Sequence, residues 1–159
     1  MAKELQKELE SELSKRILVL DGAMGTTIRQ YKLTEPEARG KRFASNLKDL
    51  LNNGDILSLT RPDVIGDIHK RFLEAGSDII ETNTFSGTTL AQSEFFVEDP
   101  REKGKGRKDP EFFAREVCDN AFLKELAWEI NYESAKLARE WCDRIGNETG
   151  RKRYVAGAI

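Results

Sequence analysis

The stretch that decides the fold is residues 16–26, RILVLDGAMGT. Its apolar run, residues 17–20, is too short for a signal peptide or a membrane span and is typical of a short strand buried on both faces. Gly22 and Gly25 then predict a turn directly after Asp21. We therefore predict a buried strand with a glycine-containing turn at its carboxyl end, which is where α/β folds place their chemistry.

Two further strands and a helix extend this unit. Residues 78–82, DIIET, form a second apolar run, and residues 154–159, YVAGAI, form a third. Between the first two strands, Pro62 and the 3.6-residue spacing of apolar side chains predict a helix that ends at Gly76. The connection is long enough for parallel pairing. The pattern predicts an α/β fold with about three parallel strands and covering helices, the opening portion of a barrel or of an open sheet.

Further helices are predicted at residues 1–15, 34–44, 88–97 and 111–145. The first carries a stripe of Leu5, Leu9 and Leu13, which should pack against the rest of the chain. The second opens at Thr34 with the spacing of a capping box. The last is longer than an ordinary globular helix, so we expect a break near Asp119.

Residues 98–110 interrupt this alternation of strands and helices. Every residue there is charged, glycine or proline, so the segment cannot bury enough apolar surface to offset its ordering entropy. We interpret it as a charged flexible insertion. Its basic cluster, residues 103–108, lacks an aromatic stacking residue, which favours a solvated loop over a contact with RNA.

The composition of the chain excludes a general attraction to polyanions. It has 26 basic and 28 acidic residues among 159, a net charge of −2, so we expect neither a nucleic acid nor a membrane as partner. The length fits one domain or a piece of a larger one. Cys118 and Cys142 have neither zinc-site nor disulfide spacing, which indicates a reducing, cytoplasmic location. His69, the single histidine, is expected to be structural or at the surface.

The turn after the first predicted strand fits none of three phosphate mechanisms. It lacks the lysine of a phosphate-binding P-loop, the second glycine of a dinucleotide fingerprint and the second carboxylate of an aspartyl-phosphate motif. A carboxylate, Asp21, beside the exposed backbone N–H groups of this loop suits both ends of an amino acid. A turn in which Asp21 caps the next segment and the glycines permit positive φ is the structural alternative.

Polar side chains also follow the second predicted strand, in residues 81–85, ETNTF. Alternation places Thr82 and Thr84 on one side and Glu81 and Asn83 on the other, so at most one pair faces a central pocket. The structural alternative is that the hydroxyl groups satisfy the backbone of their own loop.

Four segments taken together resemble the N-terminal homocysteine-binding (homocysteine S-methyltransferase) module of the cobalamin-dependent methionine synthases. They are ILVLDGAMGTTI, LTRPDVIGDIHKRFLEAGSDIIETNTFSGTTLAQ, INYESAKLAR and RYVAGAI. The likeness runs from about residue 16 to residue 159 and departs from the family's pattern between about 96 and 126, around the insertion. This resemblance implies the N-terminal part of a (β/α)8 TIM barrel.

The resemblance also implies a chemistry. In the family, homocysteine binds at the carboxyl ends of the strands with its sulfur on a zinc ion, and the thiolate takes a methyl group from methylcobalamin, which methyltetrahydrofolate recharges. By resemblance Asp21 would bind the substrate ammonium, the amides of Gly22 and Ala23 its carboxylate, and Thr82 would be a further contact. The family's zinc cysteines lie further along the barrel and nothing here matches them, so we expect this fragment to bind neither zinc nor cobalamin.

We predict that residues 1–159 are a partial homocysteine-binding barrel domain, inactive as this fragment and without a catalytic residue of its own. Its parts are expected to be a helix, a first βαβα portion, the insertion, and helices with a third strand, at residues 1–15, 16–97, 98–110 and 111–159. The expected partners are homocysteine, the remainder of the barrel, and folate and cobalamin modules. The alternatives are a fragment of a cobalamin-independent homocysteine methyltransferase, or a non-catalytic truncated or split module that needs a partner.

Overall fold

The computed structural model describes residues 2–98 and 110–158. Within these residues the chain is mostly helical with a small parallel sheet. In order, the elements are α1 Ala2–Lys15, α2 Met24–Gln30, α3 Glu35–Arg39, a 3₁₀ turn Gly54–Ile56, α4 Leu57–Thr60, α5 Pro62–Ala75, β1 Ile79–Glu81, α6 Thr89–Phe96, α7 Pro110–Phe113, a π-helical turn Ala114–Cys118, α8 Ala121–Thr149 and β2 Tyr154–Ala156. The predicted insertion, apart from its end residues 98 and 110, lies outside the described part.

The sheet is parallel, as the sequence predicts. β1 and β2 pair with Ile80 opposite Val155. The first predicted strand, residues 16–21, is instead an extended segment that joins β1 through a single parallel bridge, Leu20 to Ile79. It is not buried on both faces, because Leu20 is 49% exposed and Ile17 is 87% exposed. A strand needs neighbours on both sides to be buried, and in the described chain this segment pairs only with β1.

Helix α5 begins and ends where the sequence predicts. Pro62 opens the helix, where a missing N–H costs nothing, and Gly76 ends it at φ 113°. The apolar face of α5 is buried, including Ile65 and Ile68. Helix α3 has the predicted capping box between Thr34 and Glu37. It ends at Arg39 rather than near residue 44, because Gly40 takes φ 57°, outside helical geometry.

Helix α8 covers the sheet and carries much of the core. The predicted break is present: the π-helical turn ends at Cys118, and Asn120 caps α8 by accepting the N–H of Leu123. The helix then runs to Thr149, four residues beyond the predicted end at Ile145. Its buried side chains pack with those of α5 and β1 in a cluster formed by Leu73, Ile80, Ala138, Cys142 and Ile145. No described helix has the length and apolar character needed to cross a membrane.

Helix α1 does not pack through its predicted leucine stripe. Leu5 and Leu13 are about half exposed, and the helix is attached through Glu8, which binds Lys152 and the hydroxyl of Tyr154. Because these contacts are polar, they hold the helix without burying Leu5 and Leu13.

Asp78 joins the amino-terminal ends of the strands. Its buried carboxylate accepts hydrogen bonds from Arg16, from the N–H of Val19 and from Arg151, and Arg153 lies 3.8 Å away. Burial raises the pKa of Asp78, but the hydrogen bond from Arg16 and the other contacts outweigh it and lower that pKa overall. The cluster fixes three stretches of chain at the end of the sheet opposite the candidate site.

Candidate functional site

A cavity of about 690 Å³ lies at the carboxyl ends of the strands. Residues 21–25 and 81–86 line it on the sheet side, and residues from the 51–57 stretch line it opposite. This is the end of a parallel sheet where α/β proteins bind ligands, because strand-to-helix loops converge there. The turn after Asp21 and the polar residues after β1, which the sequence analysis singled out, are therefore brought together in one cavity.

Asp21 lies on the cavity wall and also joins two strands. Its Oδ1 accepts a 2.8 Å hydrogen bond from the N–H of Glu81. Burial raises the pKa of Asp21 to about 6, the hydrogen bond from Glu81 opposes this rise, and the charge of Glu81 adds to it. A carboxylate oxygen can accept more than one hydrogen bond, so Asp21 can bind a ligand cation as well.

The turn after Asp21 differs from the structural alternative raised by the sequence. Asp21 does not cap α2: the residue at that position is Ala23, and it makes no side-chain capping bond. Nor do the glycines supply positive φ, since Gly22 and Gly25 lack it and Ala23 has it, at φ 56°. Left-handed geometry costs a non-glycine residue about 1–2 kcal/mol, and such strain is found often at functional sites.

The N–H groups of Gly22 and Ala23 make no hydrogen bond within the described chain. Both residues are exposed and line the cavity next to Asp21. A negatively charged group in the cavity could accept from these amides while a positive group contacts the carboxylate. The arrangement therefore matches the two charged ends of an α-amino acid.

Thr82 and Thr84 share one side of the chain, as alternation predicts. Their hydroxyl oxygens are 2.7 Å apart, and both residues are buried in the cavity wall. Thr82 Oγ1 also accepts the N–H of Ala158 at 3.2 Å. Asn83 turns away from them and donates to the carbonyl oxygen of Gly54. Thr82 thus joins the end of β1 to the residues after β2 and also faces the cavity.

Asp55 is a cavity residue that the sequence analysis missed. Its side chain is only 6% exposed, and its Oδ2 accepts a 2.6 Å hydrogen bond from the N–H of Ser86. Burial raises the pKa of Asp55 to about 6, against the opposing effect of that hydrogen bond. The sequence does contain an indication of this role, because Asp55 directly precedes the apolar residues Ile56 and Leu57. An acidic residue beside such a run needs a hydrogen-bond partner if it is buried with it.

The residues that the structure describes do not fit the zinc that the resemblance implies. Cys142 is buried in the core and its Sγ donates to the carbonyl oxygen of Tyr154, while burial raises the pKa of the thiol to about 11. Cys118 is exposed on the π-helical turn. His69 is fully buried on α5 and lies outside the cavity lining. Across residues 2–98 and 110–158, no three His, Cys, Asp or Glu side chains are grouped as metal ligands.

Comparison with solved structures supports the fold. Two of the solved structures that resemble this chain are of the homocysteine methyltransferase MmuM from Escherichia coli, one in a metallated form and one in an oxidized form. The identities are 20% and 22%, and both TM-scores are 0.58. The alignments cover 94% of this chain but only 40% and 39% of those chains. This chain therefore spans about 40% of the length of these proteins, and at such identities the likeness concerns the fold alone.

The family assignment comes from the sequence. The model of the homocysteine S-methyltransferase family matches residues 18–159. That match begins within the extended segment before Asp21 and includes every part of the cavity lining described above. It covers nearly the whole chain, and we conclude that the chain belongs to the homocysteine S-methyltransferase family.

Proposed function

We propose that this chain forms the homocysteine-binding part of a homocysteine S-methyltransferase. The observation that carries the proposal is the position of Asp21 on the wall of a cavity at the carboxyl ends of parallel strands. A carboxylate there, next to amides without partners, is suited to an amino acid ligand. The family assignment supplies the identity of that amino acid.

In this proposal Asp21 binds the ammonium group of homocysteine. The N–H groups of Gly22 and Ala23 bind the carboxylate, and Thr82 contacts the ligand from the end of the neighbouring strand, β1. With a pKa of about 6, Asp21 is mainly ionised at neutral pH, so its charge is available to the ammonium group. Fixing both charged ends of the ligand orients the side chain that carries the thiol, which is the reacting group.

We further propose that the complete protein is a methionine synthase that uses methylcobalamin. The support is the presence of two motifs together, DGAMGT at residues 21–26 and ETNTF at residues 81–85, which resemble those of the methionine synthases. The described residues offer no zinc site, so zinc, cobalamin and folate would be bound by other parts of the complete protein. This chain's own role is to bind and orient homocysteine.

A non-catalytic module that docks to a partner is the second candidate. One observation favours it: the extended segment before Asp21 exposes Ile17, Val19 and Leu20 at the edge of the sheet. An exposed apolar edge of this kind is suited to pairing with another strand. Under this reading the chain binds a partner segment whether or not it binds homocysteine.

Binding of matched thiols by the complete protein tests the proposed function. Homocysteine and 4-mercaptobutanoate differ only in the amino group, so the ammonium contact should favour homocysteine by about 1.5–3 kcal/mol, roughly 10- to 150-fold in Kd. 3-Mercaptopropylamine, which lacks the carboxylate, should also bind more weakly than homocysteine. Isothermal titration calorimetry measures all three affinities. Equal binding of the three thiols, or no binding of homocysteine, would contradict the proposal.

A further inference from the structure

A network of buried polar side chains lies in and behind the cavity wall. Its members are each less than a tenth exposed and come from four parts of the chain: Asn53, Asp55, Ser58, Asn83, Gln92 and Ser134. Asn53 donates to Gln92 at 2.8 Å, and Ser134 donates to Ser58 at 2.7 Å. Buried polar groups that are fully bonded fix a single arrangement of the chain around them. The network therefore determines the position of the segments that it joins.

The loop at residues 82–88 is held by this network. Asn83 donates to the carbonyl oxygen of Gly54, and Gln92 donates to the carbonyl oxygen of Ser86 at 3.0 Å. The third tie is the 2.6 Å hydrogen bond from the N–H of Ser86 to Asp55. Among these ties only that of Asp55 uses an ionisable acceptor, and hydrogen bonds to charged acceptors are shorter and roughly twice as strong as neutral ones.

Phe85 shows what this loop contributes to the cavity. The side chain of Phe85 lines the cavity yet is 94% exposed, so packing does not hold it. Its position follows from the backbone on either side, where the N–H of Thr84 donates to the carbonyl oxygen of Thr82 and the N–H of Ser86 donates to Asp55. Loss of the bond from Ser86 to Asp55 would leave Ser86 held through its carbonyl oxygen alone, so the backbone next to Phe85 would be less constrained and the cavity mouth would change shape.

We propose that Asp55 is a positioning residue: by accepting the N–H of Ser86 it fixes the loop at residues 82–88, and so sets the affinity of the cavity for its amino acid ligand. The effect on the loop depends only on contacts in this chain, whereas the identity of the ligand rests on the proposed function. Asp55 acts through Ser86, in contrast to Asp21, which we place in direct contact with the ligand. Loss of the negative charge should therefore weaken ligand binding more at Asp21 than at Asp55.

Hydrogen exchange of the ligand-free complete protein tests the loop. Asp55→Ala removes the acceptor, so the protection factor of the amides at residues 83–88, and of Ser86 above all, should fall about tenfold or more, the loss of a charge-assisted hydrogen bond. Asp55→Asn keeps an oxygen acceptor and should stay within about threefold of wild type. Asp55→Leu, which has no acceptor but a similar branched shape, replaces Asp55→Ala if that variant unfolds. Glu94→Ala, an exposed acid on α6 outside the cavity lining, should change nothing.

Homocysteine titration of the same variants tests the consequence for binding. Asp55→Ala should weaken affinity about tenfold or more and Asp55→Asn by less than about threefold. Equal losses in both variants would mean that Asp55 contacts the ligand through its charge, and unchanged protection in Asp55→Ala would mean that the loop does not depend on it. Either result overturns the proposal. Failure of the wild type to bind homocysteine would overturn the proposed function, while the exchange measurement would still decide the role of Asp55 in the loop.

Discussion

The N–H of Glu81 donates a 2.8 Å hydrogen bond to Oδ1 of Asp21, and this bond joins the last residue of β1 to the end of the neighbouring extended segment. Asp21 thus has a structural partner in addition to its place on the cavity wall. Its structural role and its proposed ligand-binding role can be separated, because Asn keeps the acceptor for Glu81 but loses the negative charge.

We predict that Asp21→Asn in the complete protein weakens homocysteine binding by about 1.5–3 kcal/mol, the range for a lost charge-assisted hydrogen bond. The free energy of unfolding should not fall, since the bond from Glu81 is retained. Calorimetric titration and urea unfolding measure the two quantities. Asp21→Ala is the comparison variant, and it should lose both affinity and stability. Unfolding of Asp21→Asn, or unchanged affinity, would assign Asp21 to the structure of the turn alone.

Homocysteine affinity should depend on pH through Asp21. Between pH 5 and pH 7 the ligand ammonium group stays protonated and its carboxylate ionised, whereas Asp21, with its pKa near 6, changes charge. Affinity should therefore fall as the pH is lowered through 6, by about tenfold at pH 5 relative to the plateau above pH 7. Titrations across this range check the prediction, and Asp21→Asn should be much less pH-dependent. A flat profile in the wild type would contradict the ammonium contact.

The ionised carboxylate of Asp55 should lower the free energy of unfolding at neutral pH. Its pKa is raised in the folded state, so the folded chain binds more protons than the unfolded chain between about pH 4 and 6, and stability declines as the pH rises through this window. Above it, Asp55→Asn should increase the free energy of unfolding by roughly 1–3 kcal/mol, a gain that disappears near pH 4. Urea unfolding at pH 4 and 7.5 measures the difference. A variant less stable than the wild type at pH 7.5 would show that the charge itself stabilises the loop.

Asp78→Ala should destabilise the protein strongly. The variant leaves Arg16, Arg151 and the N–H of Val19 without their buried acceptor, and removing one partner of a buried ion pair costs about 3–5 kcal/mol. Asp63→Ala is a matched control, because Asp63 is an exposed acid paired with Arg61 and such pairs contribute about 0–1 kcal/mol. Thermal unfolding compares the two. Similar midpoints for both variants would rule out the structural role of Asp78.

Local sequence signals predicted the elements whose ends depend on neighbouring residues. Pro62 and Gly76 delimit α5, and Thr34 with Glu37 begins α3 as expected. The extended segment before Asp21 was predicted less well, because burial of a strand depends on which strands lie beside it. That information is not contained in an apolar run such as residues 17–20.

The site was predicted in part for the same reason. Asp21 directly follows an apolar run and Thr82 follows another after Glu81, and the structure places both on the cavity wall. Asp55 has its partner, Ser86, 31 residues away, so its burial depends on a contact that spacing does not reveal. The positive φ of Ala23 was also missed, since glycine is the residue for which that conformation is ordinarily expected.

The contacts of Asp78 also bear on how the chain is made. Arg16 precedes Asp78 by 62 residues and Arg151 follows it by 73, so a chain emerging from the ribosome exposes Asp78 long before Arg151 has been synthesised. Burying a carboxylate without its cations is unfavourable. Arg16, made before Asp78, can pair with it at once, whereas the bond from Arg151 becomes possible only when the chain leading into β2 has also been made.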